Sequence, residues 1–500
     1  MPEYIRALLI IVISAMIFFA FAKQSACAIT ETENFTRRRN IWFAMTIAAF
    51  MAHNFWLYVV ILVSILIYAR KFEPKPLSLF LFTMFALPLG IVHIPGFGII
   101  NSLFAVSHLR VLSLIILLPV FLSLRRQSET SSFGSLWPDR ALIAYIILDI
   151  LLFFIRGNSY AEPTLTSTMR EVFYRFLDIF LPYYVISRSL KNMLDFRDAL
   201  LSFLLPIVLI ALLANFESYK GWILYSPLTS LLQYESALTG YMRRGDLTRA
   251  VVTAGHAIAL GYLMVVGIGL YLFLQRHIQH RMVRWFAMVF LVAGLIASVS
   301  RGPWVGGIAL IIVFIATGRY AVRRFVIFSL VLMLLYFVAS IFPGGEKLIN
   351  MLPYIGTAEK ENVTYREDLF ANSMIVIDRN FWFGSVDYLY TPEMEAMRQG
   401  EGIIDIVNSF IGVALEQGVI GLSLFISFFV FTLWGIYQAM RLTRDKGSHE
   451  YLLGQSLLAT IVGILVTITT VSSITIIPIV YWCVAGIGVA YAQMVRKNTV

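Results

Sequence analysis

The residues of this sequence best suited to chemistry are arginines that lie between long apolar segments. They are Arg170, Arg175, Arg243, Arg244, Arg249, Arg301, Arg366, Arg379 and Arg398. A guanidinium stays protonated at physiological pH, and its planar fork of donors matches two phosphate oxygens at once. Ionisable side chains near an apolar interior are costly and tend to be kept for function. Several arginines converging in such a place would suit a lipid-linked diphosphate. The alternative is that each arginine pairs with a neighbouring acid, as Arg366 could with Glu367 or Asp368, and Arg379 with Asp378.

Arg301 is the strongest single candidate. It lies in the segment Ser298-Val299-Ser300-Arg301-Gly302-Pro303-Trp304, between two apolar runs, with no acid within seven residues on either side. The Gly-Pro break starts a new helix at Pro303, and a helix N-terminus favours anions. Arg249 lies at the start of another apolar segment. The alternative to a functional role is that Arg249 only anchors this helix at the lipid–water boundary. We predict that Arg301 and Arg249 are catalytic and that Arg244 and Trp304 contact the substrate.

A third polar segment leads into a later apolar run. It contains Arg366, Arg379, Arg398, Gln399, Glu401, Asp405 and Asn408. Its Gly-rich, polar composition predicts a structured loop folded back over the helices. Arg366 joins the catalytic set, and Asp405, in preference to Glu401, is the predicted general base. The remaining predicted substrate contacts are Arg379, Arg398, Gln399 and Asn408. The alternative for Asp405 is ordinary N-capping of the helix that follows.

The composition identifies the kind of element that must hold these residues. The 500 residues are 59% hydrophobic and 14% charged, with a mean hydropathy of +0.80. A soluble chain averages about 45–50% apolar and about 25% charged residues. This excludes a cytosolic enzyme, a disulfide-built secreted domain and a disordered protein. Cys27 and Cys483 lie too far apart in sequence to define a disulfide framework or a metal site.

The fold class we predict is all-α, a polytopic transmembrane helical bundle of about 12–14 spans with one large, partly helical periplasmic loop. The candidate spans are 7–22, 41–69, 78–96, 105–123, 141–156, 174–190, 199–216, 251–274, 286–300, 303–318, 326–342, 408–440, 452–470 and 475–494. The chain forms one membrane domain with three parts: helices with short loops over 1–342, the large loop over 343–404, and C-terminal helices over 405–500.

Charge sets the predicted orientation. The short loops rich in Lys and Arg mark one face, which the positive-inside rule assigns to the cytoplasm. Residues 343–402 carry ten acidic and five basic residues and therefore lie on the opposite face. The net charge of +10 is thus a topology signal, and a nucleic-acid partner is not needed to explain it.

The N-terminal topology departs from this rule. Arg37, Arg38 and Arg39 should be cytoplasmic, but a cytoplasmic N-terminus followed by one span over 7–22 would place them on the opposite face. Either residues 41–69 form a hairpin that turns at His53 and Asn54, with the N-terminus outside, or the rule is broken once. We favour one long tilted span and an even number of crossings. Ala20-Phe21-Ala22 resembles a signal-peptidase site, but an uncleaved first span is favoured over cleavage.

Three motifs carry a resemblance to a known family. They are Ser300-Arg301-Gly302-Pro303-Trp304, the long acidic loop after the next span, and the run from Asp405-Ile406-Val407-Asn408-Ser409 to Leu415-Glu416-Gln417-Gly418-Val419-Ile420-Gly421. Together they resemble the O-antigen ligase and polymerase superfamily. The resemblance implies a multi-pass bacterial inner-membrane glycosyltransferase, without metal, nucleotide or other cofactor, that acts at the periplasmic face. Its partners would be an undecaprenyl-diphosphate-linked glycan, the lipid bilayer and other polysaccharide assembly proteins. The diphosphate-holding role of the family's outer arginines carries over to Arg249, Arg301 and Arg366.

The sequence departs from the ligases at one informative position. Ligases of this superfamily typically open the span after the large loop with a His-Asn pair, whereas here the pair is Val407-Asn408. The departure favours the polymerase branch, of the exopolysaccharide type. Two alternatives stay open: ligase-type transfer of glycan to a lipid or protein acceptor, and a polysaccharide flippase or other transporter. Against a transporter, no repeat relates the two halves of the sequence.

Overall fold

The protein is described here by a computed structural model that covers residues 1–96, 102–128, 130–158, 163–236, 243–244, 247–341, 360–399, 402–443 and 445–499. Helices dominate these ranges, and the all-α polytopic fold is confirmed. Nine helices in the described ranges are long and apolar enough to cross a membrane, judged by length and composition. Glu401, the alternative base, and residues 343–359 of the predicted loop lie outside the described residues.

The elements follow one another along the chain with short connections. The first half contains α1 (Glu3–Cys27), α2 (Thr32–Met51), α3 (Phe55–Phe72), α4 (Pro76–Thr83), β1 (Gly90–Pro95), β2 (Ser102–Ser107), α5 (His108–Leu112), α6 (Leu118–Arg126), α7 (Trp137–Arg156), α8 (Leu165–Arg175), α9 (Leu181–Ser189), α10 (Met193–Lys220), α11 (Ser226–Leu232), β3 (Glu235–Ser236), β4 (Arg243–Arg244) and β5 (Leu247–Thr248). Single π-helical turns, Ser113–Leu117 and Phe176–Phe180, join α5 to α6 and α8 to α9.

The second half contains α12 (Ala257–Leu274), α13 (Arg281–Ala297), α14 (Arg301–Ala316), α15 (Ala321–Ile341), α16 (Lys360–Arg379), α17 (Pro392–Glu395), α18 (Ser409–Leu442), α19 (His449–Ile468) and α20 (Ile477–Thr499). Short 3-10 turns lie at Val252–Ala254 and Tyr388–Tyr390. The buried centre is formed largely by α10, α12, α19 and α20, whose side chains are mostly inaccessible on every face.

The predicted span 78–96 is wrong. The helix α4 ends at Thr83, and β1 pairs antiparallel with β2 and with β3 in the order β2-β1-β3. Pro88 and Pro95 each lack the N–H that a helix interior needs, and the β-branched residues between them favour a strand.

The single span predicted over 41–69 is also wrong, and the hairpin alternative is correct. The helix α2 ends at Met51, and the Asn54 side chain caps α3 by accepting from Trp56 N at 2.9 Å and Leu57 N at 3.1 Å. Arg38 is not a surface anchor: it is 1% exposed, and its guanidinium donates to Asp198 Oδ1 at 2.9 Å and Glu73 Oε1 at 2.7 Å.

The two termini lie at opposite ends of the bundle. Trp222 Nε1, just past the end of α10, donates to Glu3 Oε1 at 2.9 Å, whereas Asp198 lies in the first turns of α10, beside Arg38. The N-terminus therefore lies at the end of the bundle where α10 finishes and α14, α18 and α20 begin, which we call the site end. Since α20 runs away from this end, the chain crosses an odd number of times, and the even count is wrong.

Small residues hold α14 against α19 at the site end. A Cβ added at Gly306 would lie 2.0 Å from Thr467 Oγ1, and one at Gly302 would lie 2.2 Å from Thr470 Oγ1. Glycines spaced four residues apart allow this close approach of two membrane helices. The packing fixes the first turn of α14 next to the connection between α19 and α20.

Candidate active site

Three arginines meet at the turn between α13 and α14. Arg249, which is 9% exposed, donates from Nη2 to Ser300 Oγ at 3.0 Å and from Nε to Ser298 O at 3.5 Å. Arg244, at the end of β4, donates from Nη1 to Val299 O at 3.1 Å. Arg301 is the first residue of α14 and follows this turn directly. Two segments that are about fifty positions apart in sequence therefore deliver Arg244, Arg249 and Arg301 to one helix N-terminus, whose partial positive charge adds to theirs.

The backbone on both sides of this arginine cluster is strained. Val299 has φ 45° and Val252 has φ 49°, in the left-handed region that β-branched residues avoid. Such conformations persist only where the surroundings enforce them, and they concentrate at functional sites. Here Ala250 N donates to Ala297 O at 3.1 Å, which joins the two strained segments across the site.

Asp405 lies at the same end of the bundle. Its Oδ1 accepts from Ser472 Oγ at 2.7 Å, and Ser472 belongs to the connection between α19 and α20. Two residues earlier, Thr470 touches Gly302 in the first turn of α14. Residues 470–473 thus contact both the start of α14 and Asp405, whose own side chain is exposed. In the sequence this loop is visible as a run of Ser and Thr between two apolar helices, a pattern that does not by itself indicate a site.

Asn408, and not Asp405, caps α18. Its side-chain oxygen accepts from Phe410 N at 2.9 Å and Ile411 N at 3.2 Å, so the N-capping alternative for Asp405 is wrong. Trp304 also has a structural contact, since its Nε1 donates to Leu295 O at 2.9 Å between α13 and α14. The roles predicted for Asn408 and Trp304 in substrate binding stay predictions.

The polar segment over residues 360–408, which we call the outer segment, holds its arginines differently from the arginine cluster at the start of α14. Arg379 Nη2 lies 2.5 Å from Glu393 Oε1, and Arg398 Nη2 lies 2.6 Å from Glu395 Oε1, each as a two-pronged ion pair. The acid that pairs with Arg379 is therefore Glu393, 14 positions away, and not Asp378. Arg366 is exposed on α16. Its predicted catalytic role, and the substrate contacts predicted for Arg379 and Arg398, stay predictions.

Two further contacts tie this segment to Asp405. The hydroxyl of Tyr365, the neighbour of Arg366 on α16, donates to Asp405 O at 3.2 Å. Gln399 shapes the turn before Asp405, since its N–H donates to Ile403 O at 3.1 Å and its carbonyl accepts from Gly402 N at 2.8 Å. A part of the outer segment therefore lies over the site end, as predicted.

A kink in α18 attaches the outer segment to the membrane helices. Gly418 has φ 65° within α18, and residues 381–385 fill the break: Val419 N donates to Phe381 O at 2.8 Å. Arg156, at the end of α7, donates to Gly384 O at 2.5 Å and Phe383 O at 2.7 Å. Sequence reasoning missed Arg156, because its partners are main-chain carbonyls that no side-chain pattern reveals.

His256 borders the arginine cluster and caps α12. Its Nδ1 accepts from Ile258 N at 3.2 Å. Burial and the positive charge of Arg249 lower the pKa of His256 from 6.5 to about 4. The imidazole therefore stays neutral at neutral pH, and its unprotonated Nδ1 can accept the hydrogen bond from Ile258 N at the start of α12.

A family model matches the part of the chain that contains Arg301 and Asp405. Residues 286–426 match the family model described as O-antigen ligase. The matched segment includes Arg301, the outer segment and Asp405, and it ends just after the kink at Gly418, whereas Arg244 and Arg249 precede it. A search of curated proteins found no match. The match covers 141 of the 500 residues, so it shows that this part of the multi-pass membrane protein is similar to the O-antigen ligase family.

Proposed function

We propose that the protein is a polysaccharide polymerase that uses undecaprenyl-diphosphate-linked repeat units. The hydroxyl oxygen of one lipid-linked repeat attacks the anomeric carbon of a chain held on a second lipid diphosphate. The bond between that carbon and the phosphate oxygen breaks, the lipid diphosphate leaves with the electron pair, and the hydroxyl proton passes to Asp405. The site end would then face the periplasm of a bacterial inner membrane, since the short basic loops lie at the other end.

The observation that carries this proposal is the meeting of Arg244, Arg249 and Arg301 at the N-terminus of α14. Negative charge grows on the diphosphate as the glycosidic bond breaks. Preorganised donors aimed at such growing charge supply the largest single contribution in many enzymes. Ser472 orients the Asp405 carboxylate at the same end, which gives the acceptor hydroxyl a base.

Ligase-type transfer is the second candidate, because the matching family model is itself described as O-antigen ligase. The same arginine cluster would serve it, since both reactions expel a lipid diphosphate. Val407 at the place where ligases typically carry histidine favours the polymerase. The two reactions differ only in the acceptor, so the acceptor decides between them.

The test is an incubation of the purified protein with lipid-linked repeat units, followed by a sugar-ladder gel. We expect a ladder with the wild type and none with Arg301→Ala or Arg249→Ala, both of which should still accumulate in the membrane. Arg441→Ala, an equal change on an exposed residue at the opposite end of α18, serves as the control and should retain the ladder. Normal polymer from either site variant would contradict the assigned roles.

The same incubation separates the alternatives. A ligase would give no ladder from repeats alone but would move glycan onto an added lipid or protein acceptor. A transporter would give neither product and would instead move the lipid-linked unit across a vesicle membrane.

A further inference from the structure

Glu217 is a buried carboxylate whose hydrogen-bond partners are main-chain amides. It lies in the last turn of α10 and is 0% exposed. Its Oε1 accepts from Leu224 N at 2.8 Å, and its Oε2 accepts from Val251 N at 2.9 Å and Val252 N at 2.9 Å. A buried carboxylate is costly unless hydrogen bonds satisfy it, and these three donors do so.

The amides that Glu217 binds belong to the segment that carries Arg249. Val251 and Val252 follow Arg249 by two and three positions, and Val252 has the left-handed φ of 49°. Two consecutive N–H groups can converge on one oxygen only when the backbone turns sharply between them, as in anion-binding nests. The carboxylate therefore holds Val252 in a conformation that is strained for a β-branched residue.

This anchoring reaches the arginine cluster through the neighbouring residues. Ala250 N donates to Ala297 O, and the Arg249 side chain then spans to Ser298 and Ser300. The main chain around Arg249 is thus fixed on one side by α13 and on the other by Glu217. If the turn at 251–252 relaxed, the Arg249 guanidinium would shift relative to Arg301.

We infer that Glu217 is a positioning residue: it holds the strained turn at 251–252 so that Arg249 points at the leaving diphosphate. This inference rests on the proposed function, since it assigns Glu217 a role in the same site. Glu217 does not touch the substrate, and its effect on the reaction passes through Arg249.

A double-mutant cycle tests this, with polymer formation from purified lipid-linked repeats as the readout. Glu217→Gln keeps the shape of the side chain but presents an NH₂ group to at least one main-chain donor. We expect kcat to fall at least tenfold for Glu217→Gln, as it also should for Arg249→Lys, which retains charge but loses the guanidinium fork. Adding Glu217→Gln to Arg249→Lys should lower kcat less than twofold further, because residues that act through one another are not additive.

A second variant separates positioning from loss of folding. Val252→Gly adopts a positive φ without strain, so we expect it to restore at least a third of the activity lost in Glu217→Gln. A proton-transfer role for Glu217 would not be restored in this way. Equal multiplicative losses in the cycle, or no recovery with Val252→Gly when Glu217→Gln is folded, would overturn the inference.

The outcomes also distinguish this inference from the proposed function. A wild type that makes no polymer from lipid-linked repeats refutes the polymerase. A wild type that makes polymer, combined with additive losses in the cycle, refutes only the role of Glu217. If Glu217→Gln fails to accumulate, the cycle is run with Val252→Gly present in all four proteins. Glu217→Gln should then lower kcat less than threefold, and a loss of tenfold or more in this background would overturn the inference.

Discussion

The kink of α18 provides the sharpest quantitative prediction, because a single added methyl group should undo it. Gly418 has φ 65° and ψ -169°, a conformation that is essentially restricted to glycine and that costs another residue about 1–3 kcal/mol. A Cβ at this position would lie 2.4 Å from Phe383 N and 2.4 Å from Trp382 O. Gly418→Ala therefore forces the inserted segment 381–385 away from the helix.

The size of the effect follows from the contacts that this movement loosens. Val419 N to Phe381 O, at 2.8 Å, and Ile420 N to Trp382 O, at 3.3 Å, are the two hydrogen bonds that join the segment to the helix just after Gly418. Each is worth about 0.5–1.5 kcal/mol net. Together with the backbone cost, we expect the docked segment to lose about 2–6 kcal/mol relative to its detached state. Since each 1.36 kcal/mol is a factor of ten, the detached population should rise by a factor between roughly 30 and roughly 25,000.

Limited proteolysis in detergent measures that population, because cleavage of a segment that opens and closes rapidly follows the open fraction. We expect cleavage between α16 and α18 to accelerate by a factor in this range, while the membrane helices stay intact. Gly412→Ala is the matched control: it lies in the same helix, and its added Cβ would meet only Ile406 Cγ2, at 3.8 Å. The control should leave cleavage unchanged and add up to about 1 kcal/mol of helix propensity. Equal cleavage rates for the two variants would refute the account of the kink.

Three further predictions concern the charges and caps of the fold. Asp198→Asn should destabilise the protein by about 1.5–3 kcal/mol, seen as a lower thermal unfolding midpoint, because buried Arg38 loses its two-pronged charged partner but keeps its ion pair with Glu73. Asp195→Asn, one turn earlier in a partly exposed pair, should cost at most about 1 kcal/mol, and an equal shift for both variants would contradict this. Asn408→Ala should lower the free energy of unfolding by about 1 kcal/mol because it removes the N-cap of α18, whereas Asn408→Asp keeps a capping oxygen and should not. Similar thermal unfolding midpoints for the two variants would argue against capping. Because the folded pKa of His256 lies near 4, below its ordinary 6.5, stability should be complete above pH 6.5 and decline as the pH falls from 6.5 towards 4. His256→Asn, which keeps a cap, should flatten that decline in a series of midpoints against pH, and an unchanged slope would refute the assignment.

Much of the fold was predictable from the sequence, because apolar length and the period of a helix are local properties. The predicted spans agree with α10, α12, α18, α19 and α20 to within six residues at each end. The errors fell where local patterns compete. Residues 78–96 are apolar enough to span a membrane, yet the helix ends at Thr83, and Pro88, Pro95 and the β-branched residues between them favour the strand Gly90–Pro95. Residues 41–69 are mostly apolar, but the cap at Asn54 starts a second helix.

The chain's sequence by itself determined that this is a polytopic membrane protein and that a helix begins at the Gly-Pro break beside Arg301, which has no acid nearby in sequence. Composition and the Gly-Pro break are enough for both conclusions. Only the tertiary structure decided that Arg244 and Arg249 reach the same turn, that residues 470–473 link it to Asp405, and that Glu217 and Arg156 hold main-chain groups in place. Hydrogen bonds from a side chain to a distant main chain leave no pattern in the sequence, because every residue presents the same backbone. The packing of α14 on α19 and the strain at Val252 and Val299 are likewise properties of the assembled bundle.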